Sequence, residues 1–313
     1  MKYSNKDSKY QHPEYLKLLR FLLGSIRLKA FNPKRYENVL SLPVHENPDS
    51  NPGDSEGDFA LWVGHSSVLC RQDSIYYLTD PVFSERASPF TAIGPCRYSP
   101  PGISITNLPK ISFVLISHNH YDHLDYRSVK MIYDRDRPRF FVPKGLSGWF
   151  ESAGIDSVVE IDWYSSQRID SLTVTSVPAQ HFSARTMWDR NQSHWCGWIV
   201  SGEKKFYYSG DSGYFDGFKE IGKRYGPIDL AALPIGAYEP VWMMRRMHLN
   251  PEEALDVFDE VRGRKFLAVH WGSFDLTFEP VDEPPTRLKK EAETRKYPPG
   301  TINILRVGQK LFW

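Results

Sequence analysis

The chain reads as a layered α/β domain. Two observations predict this: short apolar runs of strand length recur from Phe59 to Val269, and helical candidates are interleaved with them. With 41% hydrophobic residues, the 313-residue chain has ample material for a buried core, in one large domain or two small ones.

The elements follow in order. Residues 1 to 14 are polar and read as loose. From Tyr15 to Phe31, Leu16, Leu19, Leu23 and Ile26 fall at helical spacing, with Lys17, Arg20 and Arg27 mostly off that stripe. Gly24-Ser25 weakens this basic amphipathic helix midway. Such a helix can lie in a lipid interface, or pack on its own domain or on a second subunit. Leu40 to Gly57 is rich in Pro, Asn, Asp and Ser and reads as a connection, dividing an N-terminal segment (1–57) from the main domain (58–313).

In the main domain, Phe59 to Val63, Val68 to Leu69, Ile75 to Leu78 and Phe113 to Ile116 read as strands. Tyr126 to Tyr133 and Ser147 to Ala153 read as helices. Further strands are expected at Phe140 to Val142, Leu172 to Val177, Gly197 to Val200, Lys205 to Ser209, Asp229 to Pro234 and Lys265 to Val269. Between the last two lies a helix, Pro251 to Val261, with Asn250 as N-cap, Pro251 at the first position and acids in the first turn. Pro280 to Pro299, charged and proline-rich, reads as a surface excursion. Thr301 to Trp313 reads as an edge strand or a dimer contact.

Net charge is +1, so no global field argues for nucleic acid. The cysteines, Cys70, Cys96 and Cys196, cannot all pair internally and read as reduced, buried thiols. No apolar run approaches the roughly 18 residues of a membrane span. Lys2, Asp7 and Glu14 make the N-terminus a poor secretory signal, so the chain is expected to stay in the cytoplasm where it is made.

The chemistry is concentrated in Ser117-His118-Asn119-His120-Tyr121-Asp122-His123-Leu124-Asp125, directly after an apolar strand. Three histidines and an aspartate within six residues suit zinc and its neighbours. The spacing fits two ions better than one: His118 and His120 converge on one, while Asp122 and His123 leave the turn in another direction. His181, Asp211 and His270 each sit just past another apolar run, and Gly210 permits a sharp turn before Asp211.

This motif resembles that of the metallo-β-lactamase superfamily. Flanking words narrow the resemblance: Trp62-Val63-Gly64-His65-Ser66, Thr79 to Pro89, Gly210 to Tyr214, Pro234 to Pro240, His248-x-x-Pro251-Glu252-Glu253-Ala254 and His270-Trp271-Gly272 are similar, in the same order, to the N-acylphosphatidylethanolamine-hydrolysing phospholipase D family. The resemblance implies an αββα sandwich and two Zn2+ per chain. By it, His118, His120 and His181 hold one zinc, Asp122, His123 and His270 the other, and Asp211 bridges them. It also implies that Tyr121 and His248 contact phospholipid, and that the protein is a homodimer on a membrane surface. Asp80 and Asp125 are candidates to orient ligand imidazoles, or plain turn and cap residues. His65 reads as structural or catalytic with equal weight.

Two such ions would lower the pKa of a water toward neutrality to give a bridging hydroxide, and would take up charge at phosphorus, which suits a phosphodiester. No Gly-x-Ser-x-Gly nucleophile elbow is present. Phe182, Met187, Trp188, Trp195, Tyr238, Trp242, Met243 and Met244 are candidates for a greasy acyl channel, or for core. The expected activity is hydrolysis of N-acylphosphatidylethanolamine. The alternatives are a phosphodiesterase or lactonase on a soluble molecule, and a lipid-binding scaffold without catalysis.

Overall fold

The computed structural model describes residues 2–6, 57–186 and 188–313; the amphipathic segment Tyr15–Phe31 and Met187 lie outside these residues. The chain forms β1 (Phe59–Gly64), β2 (Ser67–Gln72), β3 (Ile75–Thr79), β4 (Phe113–Leu115), α1 (Tyr126–Asp136), β5 (Arg139–Pro143), α2 (Ser147–Ser152) and β6 (Val158–Ile161). It continues with β7 (Ser166–Ile169), β8 (Leu172–Val177), β9 (Gly197–Ser201), β10 (Lys205–Tyr208), α3 (Gly217–Tyr225), β11 (Ile228–Pro234) and α4 (Val241–Met244). Last come α5 (Pro251–Glu260), β12 (Gly263–Val269), α6 (Glu283–Thr294), β13 (Ile302–Asn303) and β14 (Lys310–Phe312).

Two seven-stranded sheets result, ordered β14-β1-β2-β3-β4-β5-β6 and β13-β12-β11-β10-β9-β8-β7. Each is half antiparallel and half parallel. The hairpins β1-β2-β3 and β7-β8-β9-β10 are antiparallel, and the ladders β3-β4-β5-β6 and β10-β11-β12-β13 are parallel. Parallel neighbours need crossovers, which is where the helices fall.

Strand alternation assigns each face. In β1, Ala60 and Trp62 point into the core shared with the second sheet, while Phe59, Leu61 and Val63 point the other way, to Val129, Ile132 and Tyr133 of α1. Both faces are therefore dry, and the strand is a continuous apolar run. On the second sheet, Ala254, Leu255, Val257 and Phe258 of α5 join the same large core as Leu230 and Phe266. The αββα sandwich is the observed architecture.

The expected N-cap of α5 is present as a full capping box between Asn250 and Glu253. The excursion expected at Pro280 to Pro299 is instead largely helix. Pro284 and Pro285 stand in the first turn of α6, where prolines are tolerated, and Arg287 and Arg295 tie the helix to Glu252 and Asp256 of α5. The C-terminal stretch supplies an edge strand to each sheet, β13 and β14. Cys96 is exposed, against the expectation for all three thiols, while Cys70 and Cys196 are buried. Residues 2–6 are not loose: Asn5 is buried. Among the described residues, no helix is long and apolar enough to cross a membrane.

Candidate metal centre

The ends of the strands build the site. His65 follows β1, Asp80 follows β3, the 118–123 turn follows β4, His181 follows β8, Asp211 follows β10 and His270 follows β12. Polar groups thus gather beyond the carboxyl ends of strands from both sheets, the usual place for a site in α/β folds. Several of these residues hold a left-handed backbone, with φ of 54° at His65, 33° at Asp80 and 59° at His270. Gly210 has φ 61°, and a Cβ there would lie 2.7 Å from Ser117 Cβ and 2.8 Å from the Cys196 carbonyl. Only glycine permits the turn that aims Asp211 inward.

All seven sequence-predicted candidates for metal binding come together, in two groups. His118 Nε2 and His181 Nε2 lie 2.8 and 3.2 Å from His120 Nδ1. In the second group, Asp122 Oδ2 lies 3.5 Å from His123 Nε2 and 3.6 Å from His270 Nε2. Asp211 stands between them: its Oδ2 is 3.1 Å from His123 Nε2, 3.2 Å from His270 Nε2, 3.8 Å from His181 Nε2 and 4.0 Å from His118 Nε2. His248 also arrives, with Nδ1 3.7 Å from Asp211 Oδ2.

Outer hydrogen bonds fix which ring nitrogens face inward. Asp80 Oδ2 accepts from His123 Nδ1 at 2.7 Å, leaving Nε2 for the cluster. The Met247 carbonyl accepts from His181 Nδ1 at 2.9 Å, with the same result. Ser117 Oγ gives its proton to Asp80 Oδ2, so it accepts from His118 Nδ1 at 2.9 Å, and His118 too turns Nε2 inward. This is the outer-sphere pattern of metal-binding histidines. Asp80 is therefore the carboxylate that orients an imidazole. Asp125 is not: it accepts from Ser128 Oγ and the Ser84 amide near the start of α1.

Electrostatics separates the groups. Burial pushes His120 down to about 4 and His181 down to about 3, and holds His118 well below the ordinary imidazole value. Three neutral rings thus direct nitrogen atoms at one another, and a single proton on His120 Nδ1 can satisfy only one of its two close contacts. Burial also opposes charge on His123 and His270. There the Asp211 and Asp122 carboxylates prevail, raising His123 well above the ordinary value and His270 to about 9. Those carboxylates are themselves held low, against burial, by His123. His123 Nε2, both His270 nitrogens, Asp211 Oδ1 and His248 Nδ1 have no hydrogen-bond partner, though buried. Converging lone pairs, two buried carboxylates and orphaned nitrogens are what a divalent cation satisfies, so the residues fit a bound metal.

His65, left open by the sequence, belongs to this site. Its Nε2 lies 3.0 Å from Asp122 Oδ2, its ring centroid is 4.1 Å from that of His270, and its carbonyl accepts the His270 amide. Burial and the neighbouring His270 lower it to about 3. His248 is likewise lowered to about 3 by burial. Tyr121 is half-buried, donates to the Arg185 carbonyl at 3.1 Å and lies 4.0 Å beneath the Arg185 guanidinium. Arg185 Nη1 in turn holds the carbonyls of Asn119 and Leu124. Nothing in the sequence marks this arginine, whose guanidinium hydrogen bonds reach carbonyls more than 60 residues away.

Beside this turn opens a cavity of about 730 Å³, mostly apolar, walled by Phe83, Phe90, Ile103, Tyr126 and Met131, with Tyr121 in its wall. It is not the channel the sequence suggested. Trp195 is fully buried, its indole N–H shared between Asn5 and the Ala179 carbonyl, and Tyr238 is core-like with its hydroxyl on Glu283. Phe182, Met243 and Met244 form a smaller apolar cluster, with Phe182 against the His120 ring, while Trp188 and Trp242 are exposed.

The sandwich and this constellation define a metal-dependent hydrolase of the β-lactamase type. Residues 76–271 match the beta-lactamase superfamily domain. The chain is 40% identical over 269 residues to N-acyl-phosphatidylethanolamine-hydrolyzing phospholipase D 1 of Caenorhabditis elegans, covering 82% of this chain and 76% of that protein. It is 35% identical over 253 residues to the mitochondrial enzyme of the same name from Saccharomyces cerevisiae, covering 78% of this chain and 54% of that one. Among solved structures, a metallo hydrolase from Ignicoccus hospitalis aligns with a TM-score of 0.63 at 22% identity, covering 81% of this chain and 97% of the other, a likeness of fold. The chain belongs to the N-acylphosphatidylethanolamine-hydrolysing phospholipase D family of that superfamily.

Proposed function

We propose that this chain is a zinc-dependent phosphodiesterase that cleaves N-acylphosphatidylethanolamine to N-acylethanolamine and phosphatidic acid. The observation that carries the chemistry is the pair of nitrogen and carboxylate groups joined by Asp211. The substrate rests on the similarity to the nematode and yeast enzymes so named. The apolar cavity beside the metal-binding turn supports it, because it can take a long acyl chain.

In this reading His118, His120 and His181 would hold one zinc and Asp122, His123 and His270 a second, with Asp211 available to both. Bound there, the ions supply Lewis acidity toward a phosphoryl oxygen and acidify a water. Asp80, Ser117 and Met247 keep the imidazole lone pairs inward before substrate arrives, so little reorganisation is left for the reaction. His248, neutral and with Nδ1 unpartnered, is placed to hydrogen-bond the phosphodiester or the departing ethanolamine oxygen. Tyr121, stiffened by Arg185, orients the lipid at the cavity wall. Water supplies the oxygen that joins phosphorus, the bond from phosphorus to the ethanolamine oxygen breaks, and a proton given up by the water ends on that departing oxygen, so the products are phosphatidic acid and the N-acylethanolamine alcohol.

The proposal extends to a homodimer bound peripherally on the cytoplasmic side of a membrane, with residues 58–313 as the hydrolase domain. Phe90, Ile93, Tyr126 and Met131, all exposed on the cavity's loop and helix, support contact with a lipid surface. The test is hydrolysis of N-acylphosphatidylethanolamine in mixed micelles with and without chelator, with product identification and elemental analysis. Metal-dependent release of N-acylethanolamine is expected. Its absence from a folded, metal-loaded protein removes the lipid reading.

A further inference from the structure

His181 differs from the other imidazoles in how its backbone is held. The β8 ladder ends at Val177, and His181 stands on the loop beyond it. Its N–H donates to Asn5 Oδ1 at 3.1 Å, and its carbonyl accepts from Asn5 Nδ2 at 3.0 Å. One side-chain amide therefore pairs with both backbone groups of this residue, as a neighbouring strand would. Asn5 Oδ1 also accepts the Trp195 indole N–H at 3.0 Å, so the contact is locked into the wall of the site. All three residues are buried, where a polar group without a partner is costly.

The rest of residues 2–6 secures the asparagine. The Tyr3 amide donates to the Asn191 carbonyl at 2.9 Å, and its ring stacks on His194 at 4.7 Å. Lys6 pairs with Glu220. The His181 ring is held on its outer side through Nδ1 by the Met247 carbonyl, and its aim depends as well on where the backbone sits.

We infer that Asn5 is a positioning residue for the metal site: the first residues of the chain act as a strap whose side-chain amide holds His181 in place to complete the three-imidazole group with His118 and His120. The inference rests on the two-metal reading above and deepens it, by making retention of one ion depend on a segment 176 residues away in sequence.

The test uses the full chain loaded with Co2+, compared with Asn5→Ala and with Lys6→Ala, which removes a surface contact of the same segment. Cobalt per chain is measured by elemental analysis after dialysis against graded competing chelator, with visible spectra and circular dichroism on the same samples. Asn5→Ala is expected to release one of its two ions at about 10–100-fold lower chelator than the parent chain or Lys6→Ala. The bands of the remaining ion and the folded signal should persist. Equal retention by Asn5→Ala and the parent overturns the inference while leaving the two-metal reading intact. Loss of both ions together while the folded signal persists shows no selective hold on the His181 group and also overturns it. If the parent chain itself takes up no Co2+, the two-metal reading fails and the inference with it. Should Asn5→Ala not fold, the isosteric Asn5→Asp, which withdraws the donor to the His181 carbonyl, must lose the same ion selectively; retention equal to the parent overturns the inference.

Discussion

Replacing Asp80 by asparagine removes one charge and exchanges one acceptor for a donor, with almost no change of volume. Asp80 is fully buried and accepts four hydrogen bonds: the Ser117 amide at 2.7 Å on Oδ1, and Ser117 Oγ, His123 Nδ1 at 2.7 Å and Tyr208 Oη at 2.5 Å on Oδ2. An asparagine amide cannot face all of these with oxygen. If its NH2 takes the Oδ2 side, it meets three donors. The milder choice puts the NH2 toward the Ser117 N–H, leaving one buried backbone donor unsatisfied, at about 1–3 kcal/mol. The three remaining bonds then end on a neutral acceptor instead of a charged one, each weaker by roughly 1 kcal/mol. The sum is about 4–6 kcal/mol. For a domain of this size, with about 2–4 °C per kcal/mol, the melting temperature should fall by roughly 10–20 °C.

Metal retention should suffer as well. With the amide oxygen still toward His123, Nδ1 donates to a neutral acceptor in place of a carboxylate, and Nε2, the atom aimed at Asp122 and Asp211, loses basicity as a ligand. Loss of such an outer partner weakens metal binding by about 10–100-fold. Differential scanning calorimetry of the metal-free protein separates the first effect, and chelator competition on the loaded protein the second. A melting temperature within 2 °C of the parent and unchanged retention would refute the view that Asp80 is the hub that aims His123.

Other substitutions probe neighbouring parts of the structure. His65→Ala removes the contact with Asp122 Oδ2 and the ring contact with His270, and should weaken the ion held by Asp122, His123 and His270 about 10-fold by chelator competition; undiminished retention counts against a role for His65. Phe90→Glu combined with Met131→Glu places charge on two exposed apolar side chains at the cavity, so hydrolysis of micellar lipid should fall at least 10-fold while a soluble aryl phosphodiester is still cleaved. Equal losses on both substrates would instead favour a soluble natural substrate. His194, stacked under Tyr3, is pushed by burial down to about 4, so the native state binds fewer protons than the unfolded chain between pH 6.5 and 4. Stability should therefore drop as pH falls through that window, by roughly 3 kcal/mol at its end. Melting curves of metal-free His194→Gln should lose that part of the slope, and a parallel pH dependence in both proteins would exclude His194 as its source.

Much of the fold is legible because the strands that carry the site are buried on both faces. Phe59–Gly64, Leu172–Val177 and Gly263–Val269 contain apolar runs that need no partner to be recognised, and each ends one to four residues before a site residue. The strands that escaped notice are at or near the opposite edges. Ser166–Ile169 of β7 is mostly exposed and has no apolar alternation to betray it. Helix α3 escaped because Gly217 and Gly222 argue against a helix, yet a Cβ at Gly222 would lie 1.9 Å from the Glu260 carbonyl, so tertiary packing overrides propensity there.

The same division runs through the site. Histidines and aspartates that would bind a metal directly announce themselves by residue type and by position after a strand. Residues that aim them do not, because Asn5, Arg185 and the pairing of His65 with Asp122 are defined by contacts across 57 to 176 residues. Apolar side chains are harder still. Trp195 and the Phe83 to Met131 set are equally greasy in the sequence, but the indole is enclosed on all sides, and the others leave one side open to a cavity. Whether an aromatic ring is core or wall depends on what stands opposite it, and that is settled only when a non-periodic loop such as 83–106 closes over helix α1.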